Sequence, residues 1–222
     1  FAPRWTLGDI RGQQGEAREA LRKEKLKEIS ASRMDQTIKK ETPHTVLYTQ
    51  AFEHPRLQWG TRILEIWKRE SRARFTLRFN RITSATPEIF YVAFPFPTGD
   101  TFPQVSNGGL PFTPFTDQIP GTCRDYFAVD GWANYDTPDG QWLWVSRDAP
   151  LIAFGNSPTL SLRQEPPTDI NRLMAMIYNN FWYTNFVADS PGIMEFQFDL
   201  VWQGKNGEMP QNLSATLSSE PV

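Results

Sequence analysis

A single cysteine and two histidines are all that 222 residues offer to soft-metal or thiol chemistry. Cys123 has no internal disulfide partner, and a chain of this length buries a core without one. The lone thiol favours a reducing compartment, and so a cytoplasmic setting over a secreted one. Arg124 follows it, but no histidine is near in sequence to act as its base, so Cys123 is expected to be a buried structural thiol. His44 and His54, even with Glu41 and Glu53, fall short of a zinc ligand set, and no metal is expected in this chain. No apolar run approaches the roughly 18 residues of a membrane span. There is no glycine-rich phosphate loop, no G-x-S-x-G elbow and no CxxC pair. A net charge of −2 gives no reason to expect a nucleic-acid partner. The chain opens on Phe1 without an initiator Met or a signal peptide, which reads as the start of a processed or excised piece.

Aromatics and proline are abundant instead: 16 Phe, 8 Trp, 6 Tyr and 18 Pro. Aromatics favour strands, and Pro and Gly cut strands short. The composition points to an all-β sandwich or barrel. Charge divides the chain. Residues 1–40 carry ten Lys/Arg and six Asp/Glu, and only Phe1 and Trp5 among aromatics precede Tyr48. Residues 15–40 are rich in helix formers with a thin apolar stripe of Ala17, Ala20, Leu21, Leu26, Ile29 and Ile38. This predicts a charged helical connecting segment over residues 1–44. Glu interleaved with the basic residues argues against a nucleic-acid or membrane helix.

After Pro43 the texture changes. Thr45–Phe52 reads as a strand. Thr61–Trp67, Arg74–Phe79 and Gly192–Trp202 alternate apolar and polar residues, the mark of half-buried strands. Ile89–Phe96 is nearly all apolar, as a strand buried on both faces would be. Phe127–Trp132 and Trp142–Ser146 read as a strand pair around the turn Thr137-Pro138-Asp139-Gly140. Pro150–Phe154 is another strand, and Asp169 caps an expected helical stretch, Ile170–Asn180. Thr98–Thr122 reads as a long loop, and the polar tail from Gly204 as loose. The expected fold is mainly β: a large antiparallel β-sandwich over 45–203, preceded by a helical segment and followed by a polar tail, 204–222.

Catalytic patterns are thin. Asp117, Asp125, Asp130, Asp136 and Asp139 cluster along the chain and could hold a glycosidase-type pair, although turn roles suit Asp136 and Asp139. Trp132, Trp142, Trp144, Trp182 and Tyr183 lie beside amides and carboxylates. They are core filling or, alternatively, faces on which a sugar stacks.

Taken in order, four motifs form a set: Ile89–Phe96; Asp117–Tyr126 with Val129 and Trp132; Ser146–Gly155; and Asn180–Phe186 with Gly192 and Phe196. Over about residues 45–203 this set resembles the C-terminal β-sandwich region of glycoside hydrolases related to family 38, the α-mannosidases. The resemblance implies retaining hydrolases whose N-terminal catalytic domain holds zinc and an Asp nucleophile. The β region supports that domain and can line the substrate cleft. The catalytic domain is missing from this chain, which is then not catalytic by itself. The partners implied are that domain and carbohydrate. Asp117, Arg124, Asp125, Trp182 and Asn185 are the candidates for cleft or interdomain contacts. Two other readings are open: a stand-alone carbohydrate-binding module with an exposed row of aromatics, and a structural or oligomerisation domain without ligand.

Overall fold

Alternation with period two puts every second side chain on the same face of a strand, and here two sets of such faces meet. The computed structural model describes residues 28–84, 88–97, 102–155, 165–180 and 188–219. Numbered in chain order, the strands of the first sheet are β1 (Arg33–Met34), β2 (Ile38–Glu41), β3 (Thr45–Glu53), β4 (Leu57–Trp67), β5 (Arg72–Arg81), β7 (Gln104–Asn107), β8 (Leu110–Phe112), β10 (Trp132–Thr137), β11 (Gly140–Ser146) and β14 (Gly192–Gln203). Their order across the sheet is β1-β3-β4-β5-β14-β11-β10-β7-β8, with β2 also pairing with β3. The second sheet holds β6 (Ile89–Pro95), β9 (Phe127–Ala128), β12 (Leu151–Phe154) and β13 (Arg172–Asn179), in the order β6-β13-β12-β9. All pairings are antiparallel. The mainly β sandwich expected from the sequence is what the chain forms.

The core is aromatic. Phe75, Leu77 and Phe79 of β5 join Met194, Phe196, Phe198 and Leu200 of β14, and Phe94, Leu173, Ala175, Ile152 and Phe154 meet them from the second sheet. Phe198 is fully buried, with ring centroids 5.0 Å from Phe94 and 5.8 Å from Trp144. A second, smaller core lies on the opposite face of the first sheet. There Trp132, Leu143, Val145 and Val201 are covered by Leu213 and Leu217 of helix α1 (Pro210–Ser219).

Several local expectations are corrected. The stretch Ile170–Asn180 is strand β13, not helix. It lies between β6 and β12 and is buried on both faces, and a two-faced apolar run carries no period by which to separate helix from strand. The tail from Gly204 is not loose, because Leu213 and Leu217, four apart, give α1 an apolar stripe that docks. Within the expected helix over 15–40, residues 28–41 hold β1 and β2, which add to β3 and so override a weak helical propensity. The part up to residue 27 lies outside the described residues. The loop over Thr98–Thr122 contains the β7–β8 hairpin. Cys123 is exposed, not buried.

The expected strand Phe127–Trp132 is two strands in different sheets. The chain leaves β9, bends at Asp130-Gly131 and enters β10. Gly131 has φ +102, and an added Cβ would sit 3.1 Å from the Ser146 carbonyl. Only glycine makes that crossing without strain. The hairpin partner of β11 is therefore Trp132–Thr137, with Thr137 paired to Gly140.

Phe198→Ala should cost about 3–5 kcal/mol, because a buried ring is lost between two sheets that cannot close the gap. Urea unfolding followed by tryptophan fluorescence checks it; a loss under about 1 kcal/mol would mean that the sheets repack freely.

Candidate functional site

Of the five residues proposed from sequence, three come together in the loop that leads to β9, and Trp182 and Asn185 lie outside the described residues. The loop bonds to itself. The Thr113 amide donates to Asp117 Oδ2 at 2.6 Å, the Phe115 amide to Gln118 Oε1 at 3.1 Å, and Gln118 Nε2 to the Cys123 carbonyl at 3.2 Å. Phe115 holds φ +68, unusual for a residue with a side chain, while its buried ring packs against Phe127 at 5.3 Å. Packing thus imposes a backbone conformation that phenylalanine alone avoids. Asp117 faces solvent, Arg124 is half-buried and Asp125 is buried.

Beside Asp125, the hydroxyls of Tyr126 and of Tyr91, from β6, are shut away from solvent. Burial, with the charge of Asp125 adding to it, pushes Tyr126 up to about 12. Burial, Tyr126 and Asp125 push Tyr91 up as well. Both phenols keep their protons near neutrality, so they can donate hydrogen bonds but do not serve as bases. Asp125 and the tyrosines anchor the loop's second half, and the tip, Ile119 to Thr122, is presented to water.

The carboxylates considered for a glycosidase pair have local work. Asp130 accepts the Gly109 amide at 2.7 Å and Asp136 accepts Asn134 Nδ2 at 3.0 Å, while Asp117 closes its own turn. Among the tryptophans, Trp132 and Trp144 are buried, and Trp142 packs at a tilt against Trp202, with ring centroids 5.3 Å apart. Among the described residues, no group of three or more His, Cys, Asp or Glu could hold a metal ion.

Two charged clusters were not singled out from sequence. At one end of the sandwich the Arg81 side chain is fully buried. It pairs with Asp189, and its Nη2 meets Glu88 Oε1 at 2.6 Å. Glu88 Oε2 also pairs with Arg56 at 2.8 Å. The guanidinium lies 3.9 Å from the centroid of the Tyr178 ring, and Asp189 accepts the Ser84 amide at 3.1 Å. Burial alone would raise the pKa of Asp189, but the hydrogen bonds from Arg81 and Ser84 outweigh it and hold the carboxyl below its ordinary value. Burial also opposes the charge on Arg81, which Asp189 and Glu88 restore.

The second cluster lies on the outer face of the first sheet. Asp199, buried, accepts Arg72 Nε at 3.0 Å and Arg74 Nη2 at 3.0 Å, and Arg72 covers the Trp67 ring at 4.2 Å. Arginines alternating along β5 and the aspartate of β14 were the only sequence signal, and only the register Arg74↔Asp199 joins them. In both clusters the carboxylates are committed to guanidinium groups. Such groups fix geometry, whereas acid–base catalysis needs a proton free to move.

No protein-family model matches the sequence, and no curated protein matches it. A solved structure of an α-mannosidase from Enterococcus faecalis V583 shares the fold, with a TM-score of 0.60 at 11% identity. The likeness covers 86% of this chain but only 24% of that one, so this chain spans about a quarter of the enzyme's length. The fold is therefore one that occurs within a larger α-mannosidase.

Asp189 stabilises the folded state above the ordinary aspartate pKa near 4 and loses that effect as pH falls through its lower folded value. Asp189→Asn should thus weaken the protein at pH 7 and flatten its acid limb below about pH 4. Arg81→Met, which takes the guanidinium from Asp189 and leaves Glu88 with Arg56 alone, should cost about 3 kcal/mol. Urea unfolding across a pH series measures both, and an unaltered acid limb in Asp189→Asn would remove the ion pair as its cause.

Proposed function

We propose that this chain is the β-sandwich region of a glycoside hydrolase of the α-mannosidase type, which supports a catalytic unit carried elsewhere in a longer polypeptide and borders its carbohydrate cleft. The observation that carries the reading is the fold shared over 86% of this chain with a quarter of an α-mannosidase. The committed state of the carboxylates agrees with it: the sandwich supplies rigidity, and nucleophile and acid come from the other unit. The zinc implied by the resemblance belongs to that unit as well.

Within the sandwich, the Asp117–Tyr126 loop is the segment that faces the catalytic unit. Its backbone is closed on itself, its base is anchored by Asp125, and its tip is exposed. Rigid loops that project from a β scaffold suit cleft borders, because they keep their shape without a partner. Arg124, with a planar fork of donors, suits either a carboxylate across the interface or sugar hydroxyls. Trp182 and Asn185 remain part of the same proposal.

The test compares this chain with the polypeptide encoded by the full open reading frame. The longer protein should release nitrophenol from an aryl α-mannoside, and this chain alone should not. Arg124→Ala should lower turnover by the longer protein. Turnover by this chain alone, abolished by one Asp substitution within it, would overturn the reading. So would a full reading frame with no catalytic unit.

A further inference from the structure

We infer that the outer face of the first sheet, at the end where β14 begins, is a carbohydrate-binding platform built on Trp59. The register sets its rows. Trp59 of β4 lies opposite Asn80 of β5, and Asn80 lies opposite Ile193 of β14. The next row is Thr61, Arg78 and Glu195. Leu57, Phe79 and Met194 belong to the core, so these two rows, from alternate positions, face away from it.

Most of the tryptophans described above are core or packed against one another, but Trp59 is 39% exposed and Ile193 61%. The backbone prepares the surface. A β-bulge between Leu57 and Trp59 inserts Gln58, whose Oε1 accepts Asn80 Nδ2 at 2.8 Å. Bulges re-aim side chains, and this one sets two interlocked amides beside the indole. Arg78 and Glu195, 3.6 Å apart and both exposed, complete the row. Behind the platform, Arg81 is paired in register with both Leu57 and Gly192, so the buried ion cluster holds the ends of the strands that carry Trp59 and Ile193.

A sugar ring has a flat C–H face and a rim of hydroxyls that both donate and accept. The indole and the Ile193 side chain match the first. The amides of Gln58 and Asn80 and the Arg78–Glu195 pair match the second, since together they offer donors and acceptors on a level surface. A protein partner fits less well, because the centres of such interfaces are depleted of charge, whereas here an ion pair adjoins the only large apolar groups of the patch. The platform takes its ligand class from the glycoside-hydrolase reading, but it needs neither the Asp117–Tyr126 loop nor the catalytic unit.

Native electrophoresis of this chain through gels containing soluble α-mannan, or soluble β-glucan in parallel, tests it. At least one polysaccharide should retard the chain. Trp59→Ala should weaken the apparent affinity about tenfold or more with its melting temperature unchanged, and Trp59→Phe should retain most of it. Asn80→Ala reads the same surface if Trp59→Ala fails to fold. No retardation by either polysaccharide overturns the platform, as does retardation that Trp59→Ala leaves intact. A Trp59→Ala variant whose sole effect is lost self-association overturns it too and makes the patch a protein interface. Retardation without hydrolysis by the full-length protein leaves the platform standing and removes the hydrolase reading; hydrolysis without retardation does the reverse.

Discussion

A guanidinium does not give up its proton at any pH a protein survives, so burying one obliges the fold to bring anions in with it. Arg81 imposes that constraint here. Its partners come from the segment before β6, which carries Glu88, and from the segment before β14, which carries Asp189. Glu88 then draws in Arg56 from the β3–β4 turn, and Asp189 draws in the backbone of Ser84. Tyr178, at the end of β13, closes the ring from the second sheet. One charge thereby ties both sheets at one end of the sandwich. Dispersion and apolar burial act without direction, whereas this cluster has a single geometry and so fixes the relative position of strands that hydrophobic packing alone would let slide.

The aromatic core supplies the larger part of the stabilisation and tolerates the constraint. From the second sheet Phe94 meets Phe198 at a tilt and Phe75 and Trp144 edge-on, so that the sheets interlock rather than glide. The second sheet is four strands wide and the first is ten, so β3 and β4 reach beyond the aromatic core, to which β4 contributes only Leu57. On that overhang Arg62 binds Gln50 across the strands. A sandwich of unequal sheets leaves part of the wider sheet beyond the reach of the narrower one.

The distribution of carboxylates bears on function in the same way. Asp199 holds two arginines, Asp189 and Glu88 hold Arg81, and Asp117 and Asp130 cap turns. A group engaged in this way keeps its charge and its position, qualities that serve a scaffold. The same fold occurs within a larger α-mannosidase.

How much of this was legible beforehand follows from the range of each interaction. Alternation along Thr61–Trp67, Arg74–Phe79 and Gly192–Trp202 is local, and those runs are strands β4, β5 and β14 as read. The run Arg172–Asn179 has no polar face to break its symmetry, so its chain neighbours cannot choose between helix and strand; β6 and β12 on either side chose. The stripe of α1 was short, and the surface that it covers, Trp132, Leu143 and Val145, exists only once β10 and β11 are paired. Of the proposed contacts, the Asp117–Tyr126 loop was visible through its Pro-Gly turn, but the burial of Asp125 beside Tyr91 depended on a strand more than thirty residues earlier. Arg81 and Asp189 are 108 residues apart and carry no mutual signal in the chain. Trp59 looked like any other tryptophan until the bulge at Gln58 turned it to the outer face, away from the strip that α1 covers. Sequence by itself determined period, and with it which segments are strands with one wet face. Tertiary structure decided pairing, burial and charge partnership, because each of those depends on atoms that the chain brings together only after it has folded.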